Sequence, residues 1–194
     1  MVESDLSLLG IVLWLSGMSG AGKSTLAKNA SMTLRSDGLT VEIIDGDLVR
    51  QSHTRHLGFS RAHIGRNNAA VANICQMARR RADVVFVPVI APYEEFRRAT
   101  RNSLGPGFFL VHVDARLETL RARDPKGLYR KEQNGEIDNL IGVSKSSPYE
   151  RPTNPDLYLA AEDGCLSDNV DMLVQFALDR LAERSAPVKA GQAL

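Results

Sequence analysis

A glycine-rich stretch near the N-terminus, GMSGAGKST, has the residue types and spacing of a phosphate-binding loop. It fits the pattern G-x-x-x-x-G-K-[ST], follows an apolar run and opens a stretch with helical periodicity. Glycines let successive backbone N–H groups face phosphate oxygens, and the start of a helix adds partial positive charge. A chance glycine-rich turn is the alternative, but it would not need this strand-to-helix context. The sequence therefore predicts a nucleoside triphosphate site made by Gly17, Met18, Ser19, Gly20, Ala21, Gly22, Lys23, Ser24 and Thr25.

A second polar sequence, DGDLVR, follows the next apolar run and places two carboxylates close together. Either Asp45 or Asp47 could hold Mg²⁺, while the other accepts the proton of an attacking hydroxyl. The alternative is a helix cap beside a turn glycine, a role that suits Asp47. In the phosphate loop, Lys23 can reach the β- and γ-phosphates, and Ser24 can ligate Mg²⁺. We predict a kinase for a small acceptor, with Lys23, Asp45 and Asp47 as catalytic residues and with Ser24 and Asp45 as metal ligands.

The charge is nearly balanced overall but unevenly distributed. A net charge of +1 gives no reason to expect nucleic acid or a membrane as a partner. No acidic residue lies between Asp47 and Asp83, although this stretch carries many arginines. We predict an anion-binding surface from Arg50 to Arg66, and a solvated basic face at Arg79–Arg81.

Cysteine content and the N-terminal sequence bear on location. Two cysteines make no disulfide framework and suit a reducing compartment. Cys75 lies on an apolar helical stripe, which predicts a core position. The first residues, MVESDLSLLG, lack the basic region of a signal peptide, and the apolar run after them is shorter than the ~18 residues of a membrane helix. We expect a soluble cytoplasmic protein.

Apolar strands alternate with helices along the chain. This order predicts an α/β fold of the three-layer P-loop NTPase type, with a mostly parallel sheet and helices on both faces. We expect one domain over residues 1–185 and a flexible tail over 186–194. The predicted strands are LLGIVLWLSG, LTVEIIDGD, DVVFVPVIAP, FFLVHVD and DLYLA, and the predicted helices are Lys23–Arg35, Ser60–Arg81 with Ser60 as N-cap, Tyr93–Asn102, Arg116–Arg123 and one from about Ser167.

One long segment, from Asp124 to Asp156, has few large apolar residues and no convincing period. Such a segment inside a compact domain is usually either functional or disordered. Basic residues are concentrated around its start and could neutralise a transferring phosphate. Solvation alone would explain Arg130 and Lys131 better than Lys126, because Lys126 lies in the tight turn DPKG.

From Gly17 to Asp156 the chain resembles the adenylylsulfate kinase (APS kinase) family. The strings GMSGAGKST, DGDLVR, LGFS, IAPYEE, RDPKGLY, GEIDN and PYERPTNPD occur in the family's order. RDPKGLY and PYERPTNP are far more specific than a phosphate loop alone. Members of this family transfer the γ-phosphate of ATP to the 3′-hydroxyl of adenosine 5′-phosphosulfate. The resemblance implies this activity, ATP and Mg²⁺ as cofactors, and a homodimer.

The resemblance also implies roles that spacing alone does not assign. Asp45 and Asp47 would serve Mg²⁺ and the acceptor hydroxyl, and Arg123 would contact ATP. Residues 121–156 would form a lid over both nucleotides. The implied acceptor-binding residues are Asp47, Arg50, Phe59, Asn67, Pro92, Lys126, Gly127, Leu128, Tyr129 and Leu140.

Three positions depart from the family's pattern. Ile64 replaces an arginine that grips the anionic group of the acceptor, and Arg66 or Arg61 could substitute for it. Leu140 replaces a phenylalanine that stacks on the acceptor base, a loss worth about 1–3 kcal/mol. Ala91 replaces a serine proposed as a phosphoenzyme site, which leaves direct in-line transfer. Two alternatives therefore stay open: another small acceptor, such as one like cytidine diphosphoramidate, or a nucleotide-binding module without turnover.

Overall fold

The computed structural model describes residues 9–162 and 165–185. Its sheet has the strand order β2-β3-β1-β4-β5, and all of the recorded strand pairs are parallel. The predicted tail, residues 186–194, lies outside the described residues. The strands are β1 (Ile11–Ser16), β2 (Val41–Ile43), β3 (Val84–Val89), β4 (Phe108–Asp114) and β5 (Leu157–Ala160).

Helices connect the strands and cover the sheet. Together with the parallel sheet they confirm the predicted α/β fold. No helix in the described part of the chain is long and apolar enough to cross a membrane. The helices are α1 (Lys23–Ser36), α2 (Gly46–Ser52), α3 (Arg61–Ala78), α4 (Glu94–Leu104), α5 (Leu117–Arg123), α6 (Leu128–Gln133) and α7 (Leu166–Ser185).

The central strand β1 shows why its sequence is a continuous apolar run. Ile11, Leu13 and Leu15 pack into one core together with side chains of α1 and α7. Val12 and Trp14 point the other way, into a second core that includes residues of α3. Successive side chains of a strand face opposite sides of the sheet, so both faces of β1 are buried. Helices therefore lie on both faces, as predicted.

Two short helices were not expected from the sequence. α2 occupies the end of the predicted strand LTVEIIDGD, and α6 lies in the segment predicted to be irregular. At α2 the cause is a local cap: the Asp45 carboxylate accepts hydrogen bonds from the backbone N–H groups of Asp47 and Leu48. The helix cap is thus Asp45, and assigning that role to Asp47 was wrong.

Arg79 corrects the prediction of a solvated basic face. Its side chain is only 1% exposed. Its guanidinium donates hydrogen bonds to the carbonyls of Gly10, Leu104 and Pro106, at 3.0, 2.8 and 2.6 Å. Arg79 therefore joins the segments around β1, α4 and β4. Other predictions about α3 are confirmed, since Cys75 is fully buried and Ser60 caps the helix.

Candidate active site

The phosphate loop links β1 to α1 at the carboxyl edge of the sheet. Gly20 and Gly22 adopt φ angles of 80° and 88°, a left-handed region that other residues rarely occupy. Gly17 is required for a different reason, since a Cβ atom there would lie 2.2 Å from the Val113 carbonyl oxygen. α1 then begins at Lys23. The loop thus has the backbone of an anion site at a helix N-terminus.

Lys23 lies over this loop. Its Nζ donates hydrogen bonds to the carbonyl oxygens of Gly17 and Met18, both at 2.8 Å. Burial lowers the pKa of Lys23 from 10.5 to about 8, and Asp47 opposes this effect. The ammonium group is therefore held close to where phosphates would bind, at the cost of a less favourable protonated form.

Ser24 and Asp45 supply the oxygen atoms expected of a magnesium site. The Ser24 hydroxyl donates to Asp45 Oδ2 at 2.9 Å, and Asp45 Oδ1 is fixed by the Asp47 amide at 2.8 Å. The described residues contain no group of three or more His, Cys, Asp and Glu side chains that could hold a metal unaided. Mg²⁺ commonly takes one or two protein oxygens and completes its shell with phosphate and water. The pair therefore fits Mg²⁺ that arrives with a nucleotide.

The start of the predicted lid closes onto the phosphate loop. The hydroxyl of Tyr129 donates to the Ser19 carbonyl at 2.7 Å, and burial raises the pKa of Tyr129 to about 12. Lys126 forms an ion pair with Asp47. α6 is aligned by Asp124, whose carboxylate accepts from the backbone N–H groups of Tyr129 and Arg130. The sequence RDPKGLY thus connects the start of the predicted lid to the phosphate loop through Tyr129 and to Asp47 through Lys126.

A cavity of about 520 Å³ runs along the phosphate loop, a volume in the range of small-molecule sites. One wall of the cavity is formed by residues that follow β5, and the sequence predictions missed these residues. The signal was available, because ligands in parallel sheets bind beyond the carboxyl ends of the strands and β5 ends at the same sheet edge. Residues that line the cavity include Ser19–Leu26, Asp47, Pro88–Ile90, Arg123, Pro125 and Lys126, with Ala161, Glu162, Leu166 and Asn169 from the missed wall.

A smaller cavity of about 330 Å³ lies on the side of α3. Phe59 is 53% exposed, and the Arg50 guanidinium lies 4.9 Å from the centre of its ring. Arg50 also donates to the Gly58 carbonyl at 3.0 Å, which fixes it beside the cavity. The lining residues are Phe59, Ser60, Arg61, Tyr93, Asn139, Ser146, Ser147 and Pro148.

Comparison with known proteins gives this arrangement a family. Residues 9–160 match the family model described as adenylylsulphate kinase. The chain belongs to the adenylylsulphate kinase family. A relative from Synechococcus sp. (strain JA-3-3Ab), named adenylyl-sulfate kinase, is 39% identical over 86% of this chain and 93% of its own length.

Solved structures agree with the family assignment. The structure of the APS kinase CysC of Mycobacterium tuberculosis, in complex with AMPPNP and APS, is 34% identical and matches with a TM-score of 0.78. The match covers 90% of this chain and 98% of that one. A shikimate kinase from Acinetobacter baumannii, 14% identical with a TM-score of 0.53, covers 91% of this chain and 97% of its own. That second match shows a shared P-loop kinase fold alone.

The predicted acceptor residues of this APS kinase family member fall into three groups. Phe59 lines the smaller cavity, with Arg50 against its ring, and Asp47 and Lys126 line the larger one. Gly127, Leu128 and Tyr129 belong to the predicted lid and line neither of these cavities. The group embedded in packing contains Pro92, which is buried, and Leu140 and Asn67, which are 7% and 3% exposed. Asn67 Oδ1 accepts from the Thr54 hydroxyl at 2.5 Å.

The departures from the family's pattern have a structural context. Ile64 is 3% exposed and packs with Tyr93 and Ile141, so no charged group stands at that point. Arg61 lines the smaller cavity but pairs with two carboxylates, Glu95 at 2.7 Å and Glu150 at 3.1 Å. Arg66 is exposed on α3. That Arg61 or Arg66 supplies the positive charge missing at Ile64 stays a prediction.

Proposed function

We propose that this protein transfers the γ-phosphate of ATP to the 3′-hydroxyl of adenosine 5′-phosphosulfate, giving 3′-phosphoadenylyl sulfate. The observation that carries the proposal is that Lys23, Ser24, Asp47 and Lys126 line one cavity, with Asp45 hydrogen-bonded to Ser24. This set is what a phosphoryl transfer needs, and it occurs in a member of the adenylylsulphate kinase family.

Each group has a task in the proposed reaction. Lys23 and the loop amides hold the β- and γ-phosphates. Asp47 accepts the proton of the acceptor hydroxyl, so Lys126 has to release this carboxylate and move toward the transferring phosphate. Bound Mg²⁺, held by Ser24 and Asp45, would supply charge neutralisation of the phosphates. Tyr129 keeps the lid on the loop and helps exclude water.

The two alternatives have less support. The family and the relatives named above do not favour a changed acceptor, although Ile64 and Leu140 prompted that idea. A binding module without turnover would not need the catalytic groups expected of a kinase. Lys23, Asp45 and Asp47 are all present here and lie close to one another in the fold.

An acceptor panel tests the proposal directly. The purified protein is given Mg-ATP with adenosine 5′-phosphosulfate, with a cytidine-based acceptor, or with none, and ADP and the phosphorylated product are measured. We expect ADP release that depends on adenosine 5′-phosphosulfate and is abolished in Lys23→Ala. ADP release with the cytidine-based acceptor but not with adenosine 5′-phosphosulfate would support the changed-acceptor alternative. No ADP release with any acceptor would support the binding module.

We further propose that the protein works in the cytoplasm as a homodimer, with Arg123 contacting ATP and the lid spanning about residues 121–156. Support for the compartment comes from Cys75 and Cys165, which are both free thiols. Support for the dimer is the family resemblance alone. Light scattering on the purified protein tests it, because a mass of one chain would contradict the dimer.

A further inference from the structure

Three consecutive residues fasten the last part of the lid to the carboxyl edge of the sheet. Their side chains reach four different elements, β1, α3, α4 and β4, so the segment is fixed from several sides. Tyr149 contacts Ser16 at the end of β1 at 2.9 Å, Glu150 contacts Arg61 at 3.1 Å and the Glu94 amide at 2.7 Å, and Arg151 contacts Asp114 at the end of β4 at 3.0 Å.

Two of these residues also hold the loop between β3 and α4. The Ser16 hydroxyl donates its single hydrogen to the Ile90 carbonyl at 2.9 Å. The hydrogen in its contact with Tyr149 must therefore come from the tyrosine. Next along the loop, the Glu150 backbone N–H donates to the Pro92 carbonyl at 2.8 Å. Tyr149 thus supports one end of the segment 90–92 indirectly, by binding Ser16, and the Glu150 backbone secures the other end.

The middle of this segment is strained. Ala91 has a φ angle of +44° and is 1% exposed. A side chain with a Cβ atom is unfavourable in that left-handed region by about 1–2 kcal/mol. Such a conformation persists only where the surroundings enforce it. The Ala91 carbonyl accepts from Arg97 at 2.8 Å, the Ile90 carbonyl from Ser16 at 2.9 Å, and the Pro92 carbonyl from the Glu150 backbone at 2.8 Å.

The loop matters because it borders both cavities. Ile90 lines the larger cavity, along the phosphate loop, and Tyr93 lines the smaller one. A displacement of this loop would change the distance between groups bound on the two sides. Phosphoryl transfer is sensitive to such placement, because its rate depends on in-line alignment of the reacting atoms.

We propose that Tyr149 and Glu150 are positioning residues for the transfer step, because they support the strained 90–92 segment between the two cavities. Tyr149 does so by binding Ser16, which donates to the Ile90 carbonyl, and Glu150 does so through its backbone N–H at the Pro92 carbonyl. The inference rests on the proposed function for its kinetic consequence. Its structural part, that the two residues hold the segment, is independent of which acceptor is used.

Tyr149→Phe is the sharpest test, since it removes one hydroxyl and leaves the ring that stacks on His112. The matched control is Tyr158→Phe. That hydroxyl donates to Asp114 at 3.1 Å in the same cluster, whereas the Tyr149 hydroxyl binds Ser16, the residue that donates to the Ile90 carbonyl. We expect Tyr149→Phe to lower kcat with adenosine 5′-phosphosulfate about threefold to tenfold, the effect of one lost hydrogen bond. The Kd for ATP should stay within about twofold, and the control should match wild type.

Hydrogen exchange supplies a readout that does not need turnover. Amides in a peptide covering residues 84–104 should exchange faster in Tyr149→Phe than in wild type or Tyr158→Phe. They should also exchange faster in Glu150→Ala, which removes the side-chain contacts with Arg61 and the Glu94 amide that hold the Glu150 backbone beside Pro92. Unchanged exchange together with unchanged kcat in Tyr149→Phe would overturn the inference. Equal loss of kcat in both tyrosine variants would overturn it too, because it would indicate general destabilisation. A wild-type protein inactive with adenosine 5′-phosphosulfate would instead refute the proposed function, and the exchange comparison would still decide this inference.

Discussion

At the scale of single residues, the polar and charged groups of the candidate site already bind one another. Lys126 pairs with Asp47, and Ser24 donates to Asp45. Lys23 is buried against two carbonyls, and that burial lowers its pKa to about 8. These side chains bind one another closely enough that a substrate has to compete with existing contacts.

ATP binding should therefore depend on pH through Lys23. Its pKa in the folded protein is lowered, so it loses its proton as the pH rises through about 8, whereas a triphosphate interacts with the ammonium form. Above pH 8 binding has to take up a proton, and affinity should fall by up to about tenfold per pH unit. Calorimetry at pH 8.5 in buffers of different ionisation enthalpy measures this uptake. Identical heats in all buffers would contradict it.

Which of these residues were predictable depends on the range of the interactions involved. The phosphate loop was predictable because Lys23, Gly20 and Gly22 act through the backbone within a few positions of the chain, so their spacing was sufficient. Leu140 and Asn67 acquire their burial from segments distant in sequence, and no local pattern indicates it. The prediction that Arg79 is solvated failed for the same reason, because its three carbonyl partners are brought together only by the fold.

At the scale of elements, α2 shows how one residue can serve both structure and chemistry. Asp45 Oδ1 caps the helix, and Oδ2 accepts from Ser24. The long strands were predictable because they are apolar on both faces. The short helices α2 and α6 were not predictable, because each is fixed by an aspartate carboxylate that accepts from N–H groups of its first turn rather than by a hydrophobic period.

Two substitutions of Asp45 should separate these roles. Asn is a good N-cap, so Asp45→Asn should leave the free energy of unfolding within about 0.5 kcal/mol of wild type, whereas Asp45→Ala should lose about 1 kcal/mol. Both remove the carboxylate that faces Ser24, and both should lower kcat about 100-fold or more if it holds Mg²⁺ in catalysis. Urea unfolding and the ADP assay measure the two effects. Wild-type activity in Asp45→Asn would exclude a metal role for this carboxylate.

At the scale of the whole molecule, the two edges of the sheet have different tasks. The residues proposed for catalysis follow the carboxyl ends of β1 and β2, and Lys126 joins them from the predicted lid. On the opposite edge, Arg79 binds carbonyls before β1, at the end of α4 and before β4. Stability and chemistry can therefore be changed separately in this fold.

Replacement of Arg79 tests that separation. Arg79→Ala would leave three carbonyls without their partner in a region where the side chain is 1% exposed, and each unsatisfied buried group costs about 1–3 kcal/mol. We expect a loss of about 3 kcal/mol or more in the free energy of unfolding, measured with urea, against less than about 0.5 kcal/mol for the exposed neighbour in Arg80→Ala. The folded fraction of Arg79→Ala should retain the KM for ATP of wild type, because no catalytic group contacts this side chain. A variant as stable as wild type would mean that water replaces the guanidinium at these carbonyls, whereas a raised KM at full folding would show that the two edges are coupled.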